Sequence, residues 1–206
     1  MSDAADFQDV PTTTLGDLLG HEQFMDLGIK PLWDAPRVAG RAYTVRCVPG
    51  DNLMLHAAIY RAEPGSVIVV EGGGLDYAMA GGNVCAIAHR RGVAAFVLDG
   101  VIRDIGEIRE LGFPVYGRGV VPIPGGKSAT APLNEQVTCG GVTVHPGDVV
   151  VADEDGVAVV PGARADAVLA DARARLAKEA AETLDKWEAA HRTKVEKLLA
   201  EHGFED

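Results

Sequence analysis

The chain has 206 residues, 47% of them hydrophobic and 5% aromatic, and a formal net charge of −11. The apolar content excludes a disordered chain, the length allows burial of roughly 70% of the unfolded surface in one large domain or two small ones, and the negative charge excludes a uniform nucleic-acid binder, which needs cations against phosphate. Cys47, Cys85 and Cys139 form no C-x-x-C pair, so neither a disulfide framework nor a structural zinc site is expected, and each reads as a small buried residue. No basic segment precedes an apolar one at the N-terminus, and no run approaches about 18 apolar residues, so the reading is a cytoplasmic protein without signal peptide or membrane span.

In chain order, residues 1–9 are polar and acidic and are expected to fray. Thr12, Thr13 or Thr14 is placed to cap a short helix carrying Leu15, Leu18 and Leu19 on one face. Residues 42–48 alternate as a strand, and Pro49-Gly50-Asp51-Asn52 is turn chemistry. Residues 53–62 read as a helix with Leu53, Ala57 and Tyr60 inward, stopped by Pro64-Gly65. The Val/Ile run 66–71 reads as a buried strand, followed by tight turns at Gly72-Gly73-Gly74. Residues 78–92 are helical in composition but punctuated by Gly81-Gly82, which favours an exposed helix N-terminus there. A strand at 94–98, a helix at 105–111 and a strand at 115–116 follow. Residues 137–144, 149–152 and 157–160 are short strands separated by Gly-Gly, Pro-Gly and Asp-Gly turns.

From Arg164 to His202 there is neither Pro nor Gly, and Val168, Leu169, Leu176, Leu184, Trp187, Val195 and Leu198 give a partial helical stripe. The spacing predicts one long helix or two consecutive ones, packed across the domain or against a neighbouring subunit. One domain over residues 10–162 with a helical extension over 163–206 is the simplest organisation.

The strongest local feature is Asp99-Gly100-Val101-Ile102-Arg103-Asp104, between a Val-rich strand and a helix, where α/β proteins place ligands. Three charges so close to a buried strand must pair or bind something. Arg103 either bridges Asp99 and Asp104 in a turn or faces a ligand. The glycines at 72–74 and 81–82 match neither a dinucleotide fingerprint nor a P-loop. Asp153-Glu154-Asp155-Gly156 lacks the calcium-loop pattern and reads as a solvated turn. His56, His89 and His145 have no metal-ligand spacing and read as partly buried or surface residues. Lys127 lies in the loop Pro124-Gly125-Gly126-Lys127-Ser128, which reads as flexible and offers no apolar pocket for a Schiff-base lysine.

An ordered set of short motifs then stands out: Gly50-Asp51-Asn52-Leu53, Pro64-Gly65-Ser66-Val67, Gly81-Gly82-Asn83-Val84, Asp99 to Asp104, Gly112-Phe113-Pro114-Val115, and Pro146-Gly147-Asp148-Val149 on to Gly156. In this order over residues 40–160 they resemble the RraA-like family. That family includes metal-dependent 4-hydroxy-4-methyl-2-oxoglutarate and 4-carboxy-4-hydroxy-2-oxoadipate aldolases, and regulators of ribonuclease E. The resemblance implies an α/β protein, an α/β/β sandwich of the swivelling-domain kind, with a long C-terminal helical extension and assembly as a trimer or dimer of trimers.

It also implies a carbon–carbon lyase that forms pyruvate from 4-hydroxy-2-oxo acids and decarboxylates oxaloacetate, with no nucleic-acid or membrane partner. Arg103 and Asp104 are the implied catalytic pair: Arg103 binds the pyruvyl carboxylate and carbonyl, and Asp104 holds Mg²⁺ or Mn²⁺, largely through water. The amides of Gly81, Gly82, Asn83 and Val84 cradle the substrate carboxylate, and Glu179 or Glu182 of a neighbouring subunit approaches the metal. One departure matters: many members carry an acid where this chain has Gly82, which leaves the metal surroundings one carboxylate short. The alternative is a non-catalytic regulator that binds ribonuclease E or its partner helicase through an acidic surface. A phosphate-transfer swivelling domain ranks last, because it needs a phosphorylatable histidine in a glycine-rich loop and His89 falls on an expected helix.

Overall fold

A computed structural model describes residues 3–72 and 74–204; the turn expected at Gly73 lies outside the described residues. The chain runs through α1 (Thr12–Gly16), β1 (Lys30–Pro31), β2 (Val38–Arg46), α2 (Leu53–Ile59), β3 (Val67–Glu71), α3 (Gly82–Arg90), β4 (Ala95–Leu98), β5 (Val101–Ile102) and α4 (Ile105–Leu111). It continues through β6 (Val115–Gly117), β7 (Gly119–Val120), β8 (Val137–Cys139), β9 (Val142–Val144), β10 (Val149–Asp153), β11 (Gly156–Val160), α5 (Ala165–Ala180) and α6 (Leu184–Glu201).

Seven strands form the main sheet in the order β1-β6-β4-β3-β2-β10-β11. Its centre, β2, β3, β4 and β6, is parallel, because α2, α3 and α4 carry the chain back between successive strands. Residues 67–70 and 95–98 are buried throughout, which is why they read as unbroken apolar runs and not as alternation. One face packs Ile68, Val70, Phe96 and Leu98 against Leu55, Ile59, Ile108 and Phe113 of the helical side. On the other face Val67, Val69, Val97 and Tyr116 meet Val137, Cys139, Val142 and Val144 of the β8–β9 hairpin. The layers are therefore helices, sheet and hairpin. The antiparallel edge at β11 is extended by the chain entering β1: Met25 N–H donates to Val157 C=O at 3.0 Å, and Lys30 then pairs with Gly117 of β6. The sheet is nearly closed, which leaves little open edge.

Several local expectations are corrected. The N-terminus is anchored from residue 3: Asp3 and Asp6 form a reciprocal capping box over Ala4–Phe7, and Phe7 is fully buried. Thr12 does not cap α1, whose N-cap is Pro11; its amide and hydroxyl instead donate to Asp153 at 2.9 and 2.5 Å. The second strand begins at Val38, four residues early, because 38–41 pair with β10. α2 buries Met54, Leu55, Ala58 and Ile59 in place of the expected face, and Tyr60 stays outside under the Arg91 guanidinium, 5.3 Å from its ring centroid. All three cysteines are buried; burial pushes the Cys47 thiol up to about 11 and Cys85 to about 12.

Asp153 is not part of a solvated turn. It is 1% exposed and also accepts from Arg37 Nε at 3.2 Å and Asp155 N at 3.1 Å, which ties the N-terminal segment to the β10–β11 turn. Asp153→Ala strands these buried donors, so the expected loss is about 2 kcal/mol of folding stability. Urea unfolding checks this; an unchanged midpoint would contradict the anchor.

The tail is two helices, with Thr183 capping the second through Lys186 N. Val168, Leu169 and Ala172 pack the first half of α5 onto Val149, Val151 and Val160, so the core continues past residue 162. α6 has no buried residue, and Leu184 and Trp187 are exposed. No described helix is long and apolar enough to cross a membrane.

Candidate active site

The loops that leave the carboxyl ends of the parallel strands are knitted together by backbone hydrogen bonds. Met79 N–H donates to Val101 C=O at 2.8 Å, and Arg103 N–H to Ala80 C=O at 3.0 Å. Ala78 N–H donates to Ile123 C=O at 2.7 Å, and Gly125 N–H returns to Ala78 C=O at 3.0 Å. The result is a cavity of about 300 Å³, the scale of a small-ligand site, at the position where α/β sheets bind ligands.

Arg103, Asp104, Gly81, Asn83 and Val84 all line it, and Gly82 lies between them at the first turn of α3. Asp104 occupies the N-cap position of α4 with φ of 59°, a left-handed backbone that Asp tolerates better than most residues. Its carboxylate does not cap its own helix. Oδ2 accepts from Gly82 N–H at 3.1 Å and pairs with Arg103 Nε at 3.3 Å. The strained turn therefore aims a carboxylate at the N-terminus of α3, whose first N–H groups have no intrahelical acceptor. An Arg fork, a carboxylate and a helix N-terminus share one small space, an arrangement suited to a compact anion together with a hard cation.

The two glycines leave room for acidic side chains beside them. A Cβ on Gly81 would sit 2.5 Å from Asp104 Oδ2, and one on Gly82 would overlap the carboxylate of Glu107. Glu107, in the first turn of α4, thus stands where a side chain on residue 82 would go, and it lines the cavity. The acidic group that Gly82 lacks has a neighbour of the same charge in the same place.

Arg103 does not bridge Asp99 and Asp104. Asp99 is taken by Arg118 Nε and by Gly140 N–H at 2.9 Å, and Arg118 also grips Asp26 at 2.8 and 3.0 Å. Among the described residues that leaves Arg103 with Asp104 as its ion-pair partner and a side chain 41% exposed at the cavity. Glu179 and Glu182 are exposed around the end of α5, beside Leu184 and Trp187 and apart from this cavity within one chain.

Four polar residues of the cavity wall were not assigned to the site in the sequence: Asn52 and Glu107 were passed over, and His56 and Lys127 were read as having no role there. Asn52 is the N-cap of α2 and His56 lies one turn into that helix, a spacing of four that could have flagged them. Asp51 is 7% exposed; burial pulls its carboxyl up, but donors from Ser128, Leu53 and Ala129 prevail and hold it below its ordinary value. Burial, reinforced by the Lys127 charge, pushes His56 below its ordinary value against a weaker pull from Asp51.

A sequence profile for the RraA-like family, described as Aldolase/RraA, matches residues 2–159. A Halalkalibacterium halodurans protein named "Putative 4-hydroxy-4-methyl-2-oxoglutarate aldolase" is 39% identical over 176 residues, 85% of this chain and 84% of that one. The Thermus thermophilus 4-hydroxy-4-methyl-2-oxoglutarate aldolase is 32% identical over 151 residues, 73% of this chain and 92% of that one. Among solved structures, the RNA-processing inhibitor RraA from Thermus thermophilus superposes with a TM-score of 0.68 at 32% identity, over 74% of this chain and 93% of that one.

Proposed function

Because this chain belongs to the RraA-like family, we propose that it is a divalent-metal-dependent lyase that releases pyruvate from 4-hydroxy-4-methyl-2-oxoglutarate and related 4-hydroxy-2-oxo acids, and decarboxylates oxaloacetate. The observation that carries the reading is the Arg103–Asp104 pair held against the N-terminus of α3 in a small cavity. Relatives named as aldolases support the class of reaction.

The donor set fits a hard cation. Asp104 and Glu107 offer carboxylate oxygens, and no group of three or more His, Cys, Asp or Glu able to hold a metal occurs among the described residues. Such a site suits Mg²⁺ or Mn²⁺, which retain water, and does not suit the closed nitrogen and sulfur cages of zinc. When bound, the cation supplies Lewis acidity toward the substrate's keto oxygen. Arg103 binds the pyruvyl carboxylate and keto oxygen as a bidentate fork and stabilises the negative charge that grows as the C3–C4 bond breaks. The first-turn amides of Asn83 and Val84 receive the carboxylate and fix its orientation, whereas the Gly82 amide, also expected to do so, is held by Asp104 Oδ2. Loss of CO₂ from oxaloacetate develops the same charge, so one arrangement serves both reactions.

The proposal extends to assembly as a homotrimer or a dimer of trimers, with Glu179 or Glu182 of one chain completing the metal surroundings of the next. The unburied α6, with Leu184 and Trp187 outward, supports a partner surface.

The test is pyruvate release from 4-hydroxy-4-methyl-2-oxoglutarate and from oxaloacetate with Mg²⁺, followed through lactate dehydrogenase. Catalytic pyruvate formation is the expected result; no turnover of either acid sinks the reading. In that event the second reading gains: likeness to an RNA-processing inhibitor and a net charge of −11 favour a regulator that covers a basic partner surface.

A further inference from the structure

We infer that His56 is a catalytic base of this cavity, whose Nε2 takes the proton of the substrate's C4 hydroxyl as the C3–C4 bond breaks. The inference rests on the pyruvate-forming reading above and adds to it the proton acceptor that carbon–carbon cleavage needs and decarboxylation does not.

Buried polar atoms are nearly always paired, so the exceptions point to something absent. Among the described residues, three buried side-chain atoms have no hydrogen-bond partner, and two of them, Asn52 Oδ1 and His56 Nε2, belong to residues lining this cavity. Asn52 is only 5% exposed, and its Nδ2 is committed to Ala78 C=O at 3.3 Å, which leaves Oδ1 as an acceptor. With the imidazole proton on Nδ1, His56 Nε2 is an acceptor too. A carboxylate carries no hydrogen and satisfies neither atom. A hydroxyl does, and the C4 carbon of the proposed substrate bears one.

The other ionisable groups of the wall have different work. Arg103 and Lys127 bring positive charge and no lone pair. Asp104 Oδ2 is engaged by Gly82 N–H and by Arg103, and Glu107 lies beside it at the start of α3. His56, on α2, remains as a neutral base: burial and then the Lys127 charge hold its imidazole below its ordinary value, against a weaker pull from Asp51, so the free base prevails near neutral pH. The loop that brings Lys127 close is anchored, not flexible as expected from sequence. Asp51 Oδ2 accepts from Ser128 N at 2.5 Å, Ser128 Oγ at 3.1 Å and Ala129 N at 3.2 Å, and Gly126 N–H donates to Gly50 C=O at 2.7 Å. In the cleavage step the C4 O–H proton passes to Nε2, and the O–H electron pair forms the new C4 carbonyl. The C3–C4 pair becomes the enolate of pyruvate. C3 then takes a proton from water, and the imidazolium returns its own to solvent. Oxaloacetate loses CO₂ to the same enolate with no hydroxyl proton to remove.

The experiment compares turnover of 4-hydroxy-4-methyl-2-oxoglutarate with that of oxaloacetate, on one preparation of the whole protein with Mg²⁺, for the wild type, His56→Gln and His56→Asn. Both amides keep a hydrogen-bonding group and neither takes up a proton. The ratio of cleavage to decarboxylation is expected to fall by at least about a hundredfold in both variants, the scale of losing a positioned general base. Oxaloacetate turnover on the same sample reports that the variant is folded. A ratio that stays within about threefold of the wild type overturns the assignment, and so does parallel loss of both reactions in both variants, which makes His56 a structural residue. A wild type that decarboxylates oxaloacetate and never cleaves the hydroxy acid overturns the base and leaves the pyruvyl site standing. Turnover of neither acid by the wild type sinks the pyruvate-forming reading and the base with it.

Discussion

Arg103→Ala is expected to lower pyruvate formation by at least about a hundredfold, the scale of losing one preorganised donor at a developing oxyanion. Arg103→Lys should recover little, because an ammonium cannot replace a bidentate fork. Folding should survive, since Arg103 is partly exposed and its one ion pair, to Asp104 at 3.3 Å, lies at a cavity wall. A purely structural role predicts the reverse: a lower melting temperature with normal turnover per folded molecule. That role has lost its partner in any case, because Asp99 is held by Arg118 and Gly140. Melting temperature and turnover measured on one preparation decide the matter, and near-normal turnover in a destabilised variant would falsify the assignment.

Removal of divalent metal is the second large effect. Excess EDTA should suppress pyruvate formation by about a thousandfold, since a Lewis acid at the keto oxygen contributes several kcal/mol and each 1.4 kcal/mol is tenfold in rate. Mg²⁺ or Mn²⁺ should restore the rate. The loss should be quick and reversible, because the chain offers Asp104 and Glu107 at the cavity and no cluster of three ligands among the described residues. Metal affinity, read separately by Mn²⁺ paramagnetic resonance, should fall in Asp104→Asn. Undiminished turnover in EDTA would remove the metal from the mechanism.

Within the sequence, the signals of single residues and of neighbours on one element were legible. The apolar runs 66–71 and 94–98 announced strands buried on both faces, and β3 and β4 are such strands. The helix 105–111 coincides with α4, because its stop at Gly112 is a left-handed cap that glycine adopts at little cost. Arg103, Asp104 and the Gly81-Gly82 turn converge as their motif suggested. The inward face of α2 was misread because Leu53, Ala57 and Tyr60 are as apolar as the residues that are buried; only the position of the sheet and the Arg91 contact choose between two faces.

Composition, periodicity and ordered motifs by themselves determined the α/β class, the helical tail, the family likeness and the Arg103–Asp104 pair. Tertiary structure alone decided what polar residues do when they are remote in sequence. Asp153 resembles any turn aspartate until Thr12, 141 positions away, donates to it. Lys127 resembles a loop lysine until Asp51, 77 positions from Ser128, anchors the neighbouring backbone. Glu107 resembles a surface helix residue until the absence of a side chain on Gly82 makes room for its carboxylate. The physical reason is common to all three: apolar burial follows local periodicity, whereas a charge takes its role from the partner that folding brings within hydrogen-bond reach.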